Sequence, residues 1–286
     1  MTVERRLLPE TPYRNLGDYV AAGGGSGLEA LDRMGPAAAI DEIRASGLRG
    51  RGGAGFPTAI KLGGVASAEA DRKFVVANVS EGEPGTFKDR WMLQNNPYSL
   101  LEGITIAGIA VGAEQAFIGI KHKHHAAIDA LERAAVEMVD AGMIGQLQIT
   151  IVRGPDVYLF GEEKGMLEVI EGREAKPRLY PPYMNGLFEV QGSPLNPTAV
   201  TNAETLSHLP NILARGAEWF RSVGTEESTG TMIFALGGDT AVNTVVELAL
   251  GTPMRELVED HGGGTLSGRP IKMITNGVSN RPIRPE

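Results

Sequence analysis

The stretch Gly47-Leu48-Arg49-Gly50-Arg51-Gly52-Gly53-Ala54-Gly55-Phe56-Pro57-Thr58 decides how the rest of the chain is interpreted. It holds five glycines and two arginines within twelve residues and leads into Ala59-Ile60-Lys61, the first turn of a predicted helix. Because glycine has no Cβ, backbone N–H groups can approach a bulky anion closely, and a helix N-terminus adds partial positive charge. The arginines and Lys61 add full charges, so the stretch predicts a cradle for phosphate or for a ligand that carries phosphate.

A glycine-rich segment can also be a plain flexible connection, and this is the alternative interpretation of residues 47–58. Their spacing fits neither the G-x-G-x-x-G pattern nor the G-x-x-x-x-G-K-[ST] pattern of phosphate-binding loops. Phosphate or nucleotide binding is favoured because glycine, arginine and a helix start occur together.

The composition is that of an ordinary soluble protein, with 286 residues of which 42% are hydrophobic and 22% charged. A chain of this length can bury a large core and form more than one domain. The net charge of −8 argues against a general nucleic-acid or anionic-membrane surface. The chain contains no cysteine, which excludes cysteine-ligated iron–sulfur clusters within it. Its first residues lack the apolar core of a signal peptide and its longest apolar run, Ile104 to Ala113, is too short to span a bilayer, so we expect a cytoplasmic protein.

Alternating strand and helix patterns predict a parallel α/β sheet with right-handed crossovers. Residues 1–30 are expected to form an extended arm. The predicted strands are 73–78, 116–120 and 148–152, and the predicted helices are 28–34, 37–45, 58–66, 97–112, 126–141, 165–171 and one ending near 214.

Two acidic segments stand where an α/β sheet usually contacts its ligand. Glu81 and Glu83 lie in a loop after the strand 73–78, although a solvated turn is the alternative. Glu162 and Glu163 stand at a helix start, where they complement the helix dipole or accept hydrogen bonds from a nucleotide ribose.

The segment 121–125 carries three histidines, and two of them could face the same way and hold a metal ion. No carboxylate orients them, and a charged helix end explains them as well. We predict no metal site.

The pattern changes after a polar linker at 226–230. Strands at 231–236 and 242–248, a helix at 252–259 and a last strand at 271–275 are typical of a small β-grasp unit. This unit has no catalytic constellation of its own.

Several of these motifs occur in one order, and together they resemble a known family. They are 47–58, Asn78 with 81–90, Gly161-Glu162-Glu163, Pro181-Pro182-Tyr183 and Thr201-Asn202-Ala203-Glu204-Thr205. On these residues the chain is identified as a member of the NADH-binding flavoprotein subunits of respiratory complex I. The diaphorase subunits of NAD-linked hydrogenases and formate dehydrogenases are included in that family, and the resemblance covers about residues 30–283.

The resemblance implies an N-terminal arm at 1–30, a Rossmann-like FMN- and NADH-binding domain at 31–225 and a β-grasp (ubiquitin-like) domain at 229–286. It implies hydride transfer from NADH to FMN, followed by electron transfer to an iron–sulfur or ferredoxin-like partner within a multi-subunit complex. Positioning and cofactor electronics carry such a reaction, with little acid/base chemistry from side chains.

The implied site residues lie in the family's motifs, with Tyr183 standing where a pocket Phe is usual. Glu83 is implied as catalytic, next to the nicotinamide, and Glu163 as the carboxylate that favours NADH over NADPH. The implied cofactor-binding residues are Gly50, Arg51, Gly52, Gly53, Gly55, Phe56, Lys61, Asn78, Glu81, Glu83, Tyr158, Gly161, Glu162, Glu163, Tyr183, Thr201 and Asn202.

The sequence also departs from the family pattern. Ser80 stands where an Asp is usual, Tyr180 replaces a Lys, and Leu62-Gly63-Gly64 stands where a second pocket aromatic is expected. Losing an aromatic stack and a cation should weaken dinucleotide binding by ~1–3 kcal/mol. Family members normally continue into a helical domain with cysteine ligands for a cluster, whereas this sequence ends after the β-grasp segment; either that domain has been cut off or electrons pass directly to a partner.

Two functions are therefore expected. The first is an FMN-dependent NADH:acceptor oxidoreductase module that passes electrons to an iron–sulfur partner. The alternative is a flavin-holding or structural subunit of a larger redox complex that has lost NADH oxidation. Ser80, Tyr180 and the missing aromatic favour the alternative, whereas Glu83, Glu163 and the intact glycine segment favour the first.

Overall fold

A four-stranded parallel sheet forms the centre of the computed structural model, which describes residues 5–189, 195–277 and 281–284. The strand order is β3-β2-β1-β4, so β1 lies between β2 and β4. All neighbouring pairs are parallel, and their carboxyl ends therefore meet at one edge. The strands are β1 Phe74–Val79, β2 Gln115–Lys121, β3 Gln148–Gly154 and β4 Thr198–Asn202.

Helices cover both faces of this sheet. The first ones are α1 Leu16–Ala21, α2 Ser26–Met34, α3 Pro36–Ser46, α4 Thr58–Ser67, α5 Lys88–Asn95 and α6 Pro97–Val111. The later ones are α7 His125–Asp140, α8 Glu163–Ile170, α9 Ala203–Ser207, α10 Leu209–Arg215 and α11 Ala217–Arg221. A 3₁₀ turn, Tyr158–Gly161, precedes α8.

The helix bounds follow local chemistry. Pro36 opens α3 at its first position, and Gly47 ends it in the left-handed conformation with φ 71°. Asn96 caps α6 because its side chain accepts a hydrogen bond from the Ser99 N–H. These signals explain why the predicted helices in this part of the chain are confirmed within one or two residues.

Helix α6 is the central core element, and every residue in it except Ile109 is buried. It packs against α4, α7, α9 and β1. The opposite face of the sheet is covered by a smaller aromatic cluster that includes Phe74, Phe117 and Phe160. Burial on both faces explains why the strands have continuous apolar sequences rather than alternating ones.

Helix α5 and strand β4 were not predicted. Residues 88–95 form α5, although no helix is predicted there, because the helix is short and mostly polar and has weak apolar spacing. The segment 198–202 forms β4, although Asn196-Pro197 is a loop signal in the sequence. Pro197 lies directly before the strand, where its missing N–H breaks no ladder hydrogen bond.

The N-terminal segment is not simply an extended arm, since residues 16–21 form α1 and α2 begins at Ser26. Its first described residues are tied to the rest of the protein through Glu247. One oxygen of Glu247 accepts hydrogen bonds from the backbone N–H groups of Arg6, Leu7 and Leu8, at 3.0, 2.8 and 2.9 Å. The other oxygen accepts from the Thr231 hydroxyl at 2.6 Å. Burial outweighs these hydrogen bonds and raises the pKa of Glu247 to about 7.

The C-terminal segment contains an antiparallel pair, β5 Thr231–Leu236 and β6 Thr244–Ala249. A short helix, α12 Met254–Glu256, follows and continues as a π-helical turn, Leu257–His261. The predicted strand at 271–275 is wrong for the described residues, which show only one bridge between Ile274 and Ile283. The parallel α/β sheet is therefore confirmed, whereas a β-grasp arrangement of this segment is not.

Among the described residues, no helix has both the length and the apolar character that a membrane crossing would require.

Candidate functional site at the carboxyl edge of the sheet

Two amides stand side by side at the carboxyl ends of β1 and β4. Asn78 and Asn202 are direct neighbours in the strand register. The Asn78 amide donates to the Gly161 carbonyl at 2.8 Å, which ties the 3₁₀ turn to this edge. The Asn202 amide donates to Asp89 Oδ2 at 2.7 Å. The two residues and Gly161, all predicted as site residues, are therefore brought together.

The segment 47–57, which we call the glycine loop, approaches this edge as a short hairpin. The Gly50 N–H donates to the Phe56 carbonyl at 2.9 Å, and Arg49 and Pro57 form a bridge. Gly53 and Gly55 have φ values of 124° and 62°, conformations that L side chains rarely adopt, and a Cβ on either would meet no atom within 4 Å. This part of the loop therefore has open space in front of its backbone.

Gly52 instead lies against the sheet edge. A Cβ at this position would stand 3.0 Å from the Asn202 Cβ, which is closer than side chains normally tolerate. The absence of a side chain at Gly52 thus allows the glycine loop to sit directly beside β4.

The predicted role of Arg51 as a charge for a phosphate needs correction. Its side chain is buried, and its guanidinium donates to the carbonyls of Thr231, Thr229 and Arg49 at 3.1, 2.8 and 3.1 Å. The group is engaged in the protein interior, and the sequence could not show this because Thr229 and Thr231 are far along the chain.

Lys61 and Glu163, which were expected to serve different parts of a nucleotide, contact each other. Lys61 Nζ lies 2.5 Å from Glu163 Oε1 and donates to the Val200 carbonyl at 2.6 Å. About a quarter of the Lys61 side chain and 44% of the Glu163 side chain are exposed. Both groups are therefore accessible to a ligand, and each now neutralises the other.

Glu81 is placed at the N-terminus of α5 rather than in open solution. Its carboxylate accepts from the Asp89 N–H at 2.7 Å and lies 3.7 Å from the Arg90 Nε. Its backbone has a φ of 45°, which is unusual for a residue other than glycine. Burial, together with the charge of Asp89, raises the pKa of Glu81 to about 7.

Glu83 and Tyr158 also meet, since the Tyr158 hydroxyl donates to Glu83 Oε1 at 2.6 Å. This hydrogen bond raises the pKa of Tyr158 and joins the loop after β1 to the 3₁₀ turn. The two acidic segments of the sequence are therefore joined at the carboxyl edge of the sheet.

Three predicted residues have more peripheral positions. Glu162 caps α8, because its carboxylate accepts a hydrogen bond from the Gly165 N–H at 2.9 Å. This contact agrees with the interpretation that Glu162 complements the helix dipole. Phe56 and Tyr183 are 49% and 63% exposed, and an exposed aromatic ring is available for stacking on a planar ligand. Phe56 belongs to the glycine loop, whereas Tyr183 follows Pro182, whose carbonyl accepts from the Thr198 N–H at 3.1 Å at the amino end of β4.

A buried charge network under the site was not predicted from the sequence. Lys88 Nζ lies 2.6 Å from Asp89 Oδ1 and 2.7 Å from Glu204 Oε2. Burial alone would raise the pKa of Glu204, but Lys88 and His208 hold this pKa at about 2. Glu204 also accepts from the Ile233 N–H at 2.8 Å, so the network connects the sheet edge with β5. Lys88, Asp89 and Glu204 each lie within a motif that carries the family resemblance.

Within the described ranges, no group of three or more His, Asp or Glu side chains is arranged to hold a metal ion. His122 Nδ1 instead lies 3.1 Å from the Gly154 carbonyl.

Comparison with known proteins decides the family. The model of the Nuo51 FMN-binding domain matches residues 43–211, which is more than half of the chain and includes the glycine loop, both acidic loops and Asn202. The chain belongs to the Nuo51 FMN-binding domain family. The family resemblance inferred from the motifs is thereby confirmed.

Relatives of the Nuo51 family occur in different redox complexes. A subunit of the NADH-quinone oxidoreductase of Rhizobium meliloti (strain 1021) is 39% identical over 280 residues, covering 95% of this chain and 66% of the relative. The NADP-reducing hydrogenase subunit HndC of Solidesulfovibrio fructosivorans is 36% identical, covering 92% of this chain and 54% of that protein.

A solved structure shares the fold of this Nuo51 member. An NAD⁺-reducing [NiFe]-hydrogenase in the H₂-reduced state superposes with a TM-score of 0.83 and 31% identity, covering 96% of this chain and 47% of that chain. The chain thus spans about half to two thirds of the length of the proteins it matches.

The residues at the sheet edge fit a polar ligand that carries phosphate. The hydroxyls of Ser80, Thr201 and Thr58 are buried and have no hydrogen-bond partner. Unpaired buried hydroxyls are costly unless a ligand or water supplies the partner. Ser80 follows β1, Thr201 is the last but one residue of β4, and Thr58 begins α4 directly after the glycine loop. These orphaned groups and the open glycine backbone suit the phosphate and polar ring edge of FMN.

Proposed function

We propose that the chain is an FMN-dependent NADH:acceptor oxidoreductase module that delivers electrons to an iron–sulfur partner subunit. The observation that carries this proposal is that the glycine loop meets the two edge amides at the carboxyl edge of a parallel sheet, next to the orphaned hydroxyl of Ser80. The name of the NADH-quinone oxidoreductase relative supports NADH as the substrate, and that of the NADP-reducing hydrogenase subunit supports pyridine-nucleotide chemistry more generally.

Bound FMN supplies the hydride acceptor and can release electrons one at a time. The open backbone at Gly53 and Gly55 and the ammonium of Lys61 are assigned to the phosphate. The amides of Asn78 and Asn202 are assigned to the polar edge of the flavin ring. The remaining flavin-side residues of the proposal are Gly50, Gly52, Ser80, Glu81, Tyr158, Gly161, Glu162 and Thr201.

The dinucleotide is assigned to the solvent-exposed side of the sheet edge. Phe56 presents an aromatic face for stacking, and Glu163 presents a carboxylate for a ribose hydroxyl. Tyr183 is assigned to the same ligand on the family resemblance alone. Glu83, held by the Tyr158 hydroxyl, is assigned next to the nicotinamide, where it orients the ring. None of these roles requires a proton transfer from a side chain, since holding the two rings in register is what the reaction needs from the protein.

The second candidate is a flavin-holding subunit that does not oxidise NADH. The pairing of Lys61 with Glu163 favours it, because dinucleotide binding has to compete with this ion pair. The missing aromatic at Leu62-Gly63-Gly64 and the exposed Tyr180 favour it as well. The orphaned hydroxyls near the glycine loop serve FMN equally well in either function.

The finer architecture is also proposed. We assign residues 1–30 to an arm, 31–225 to the FMN- and NADH-binding domain and 229–286 to a β-grasp domain, of which β5, β6 and α12 are the described elements. The net charge and the absence of cysteine support a cytoplasmic location and a multi-subunit complex in which a partner holds the clusters.

One experiment separates the candidates. The purified protein is reconstituted with FMN, freed of oxygen and mixed with NADH while the visible flavin absorption is recorded. Bleaching within seconds supports NADH oxidation. Bound flavin that stays oxidised contradicts the first candidate and supports the second. A protein that retains no flavin contradicts both.

A further inference from the structure

The glycine loop has a bound edge at Arg51 and an open edge at Gly53 and Gly55. Gly53 and Gly55 face free space, as described above. At Arg51 the loop is fixed on both backbone and side chain, since its N–H donates to Thr205 Oγ1 at 2.7 Å. The loop can present its open edge to a ligand only while the bound edge stays in place.

The Arg51 side chain extends this attachment to the C-terminal segment. Its Nη2 and Nε donate to the carbonyls of Thr229 and Thr231, at 2.8 and 3.1 Å, on either side of the start of β5. A guanidinium is planar and rigid, so its N–H groups can donate to carbonyls in two directions at once, an arrangement we call the fork. A lysine ammonium cannot donate in the same geometry. Turning Arg51 toward a ligand would leave these buried carbonyls unpaired.

A second connection joins the same two parts of the protein. Glu204, in the helix that follows β4, accepts from the Ile233 N–H at 2.8 Å and is paired with Lys88. The start of β5 is therefore held from the glycine loop on one side and from the charge network beneath the sheet edge on the other.

We propose that Arg51 is a positioning residue that fixes the glycine loop against β5, so that FMN binding depends on the docking of the C-terminal segment. The dependence is reciprocal, because a ligand that binds only the docked form stabilises docking by the same free energy. The expected change in FMN affinity rests on the proposed function. The attachment of the glycine loop to β5 by Arg51, which we call the clamp, does not.

The decisive variant is Arg51→Lys, which keeps the charge and removes the fork. If Arg51 attracted phosphate by its charge, the lysine would preserve FMN affinity. A clamp predicts that the FMN dissociation constant, measured by quenching of FMN fluorescence, rises about tenfold or more, as expected when several charge-assisted hydrogen bonds are lost. The matched control is Arg33→Lys in α2, whose side chain is exposed and lies 4.0 Å from Glu29 Oε2, away from the glycine loop. Its affinity should stay within about twofold of that of the unmodified protein, since a weak exposed contact contributes little.

A pair of variants at Thr205 tests the same attachment from the other side and remains informative if Arg51→Lys does not fold. Thr205→Ala removes the acceptor of the Arg51 N–H and should weaken FMN binding. Thr205→Ser keeps the hydroxyl and should restore affinity. A serine variant as weak as the alanine variant contradicts the proposal, as does wild-type FMN affinity in a folded Arg51→Lys protein.

Amide hydrogen exchange of the protein without FMN tests the clamp independently of flavin binding. Exchange at residues 230–236 should become faster in Arg51→Lys and stay unchanged in Arg33→Lys. If the unmodified protein binds no FMN, the proposed function fails, and the exchange experiment alone decides the clamp. Unchanged exchange in Arg51→Lys overturns it.

Discussion

Lys61 Nζ lies 2.5 Å from Glu163 Oε1, so the cation assigned to a phosphate and the carboxylate assigned to a ribose neutralise each other across the cleft. The pair joins the first turns of α4 and α8. A dinucleotide has to share or break this contact when it enters. The free energy needed to separate Lys61 from Glu163 therefore lowers the affinity for NADH.

The first prediction concerns coenzyme preference. Glu163→Gln keeps the shape of the side chain but removes the charge that repels the extra phosphate of NADPH, and it leaves Lys61 free to bind that phosphate. We expect the ratio of kcat/KM for NADPH over NADH to rise at least about tenfold, as expected for one additional charge-assisted hydrogen bond. Glu174→Gln, an exposed residue paired with Lys176, serves as the charge-matched control. An unchanged ratio in Glu163→Gln would refute the assigned role.

The second prediction concerns the orphaned hydroxyl of Ser80. Because this hydroxyl has no partner in the protein, Ser80→Ala should leave the free energy of unfolding unchanged or slightly higher without FMN. FMN binding should nevertheless weaken by about five- to tenfold, since one hydrogen bond of about 1 kcal/mol is lost. Both values come from urea unfolding and fluorescence titration of the same preparation.

Ser46 provides the contrast for Ser80. It is buried as well, but its hydroxyl donates to the Ile43 carbonyl at 2.7 Å. Ser46→Ala should therefore lose stability and keep FMN affinity. If Ser80→Ala behaved like Ser46→Ala, the hydroxyl of Ser80 would not be a ligand contact.

The third prediction concerns the buried network under the site. Lys88→Met leaves Asp89 and Glu204 buried without their cation and should lower the free energy of unfolding by about 3–5 kcal/mol. Lys123→Met, which breaks a pair with Asp156 whose partners are nearly half exposed, should cost less than about 1 kcal/mol. Urea unfolding of both variants at pH 7 checks this, and equal losses would contradict a special role for the network.

The fourth prediction concerns pH. Burial raises the pKa of Glu247 from 4.5 to about 7, so the folded protein keeps a proton that the unfolded chain releases earlier. The stability from this group is fully present below about pH 4.5 and is lost as the pH rises through 7. Glu247→Gln cannot titrate. Unfolding free energies of the two proteins should therefore diverge by up to about 3 kcal/mol between pH 4.5 and 7, with the unmodified protein losing stability.

Comparing the unmodified protein with Glu247→Gln also controls for the other groups that titrate in this pH range. Glu81 has a raised pKa too, but it is present in both proteins and cancels in the difference. A difference that stays constant with pH would show that Glu247 is already ionised in the folded protein.

The predicted site residues stay predictions, although the structure brings Asn78, Asn202 and Gly161 together at one edge of the sheet. Gly53 and Gly55 were singled out because glycine and a helix start have a chemical reason to occur together, whereas Asn78 was named from the family resemblance. The burial of Arg51 was not predictable, because the carbonyls that bind it belong to residues almost 180 positions later. The pairing of Lys61 with Glu163 is equally non-local.

Features of the local sequence explain why β4 and α5 were not predicted. Strand β4 has only five residues and begins after a proline, so the turn signal outweighed the strand signal. Helix α5 is short, and four of its eight residues are buried without a clear apolar stripe. Tertiary packing, rather than propensity, determines both elements.

The position of β1 between β2 and β4 also has a consequence for biosynthesis. Phe74 pairs with Gln115 on one side and with Thr198 on the other. While the ribosome adds the intervening residues, one edge of the apolar strand β1 has no partner, and such an edge can pair with another nascent chain. Asn202 is translated last among the residues proposed to bind FMN. The cofactor can therefore be captured only after most of the chain has emerged.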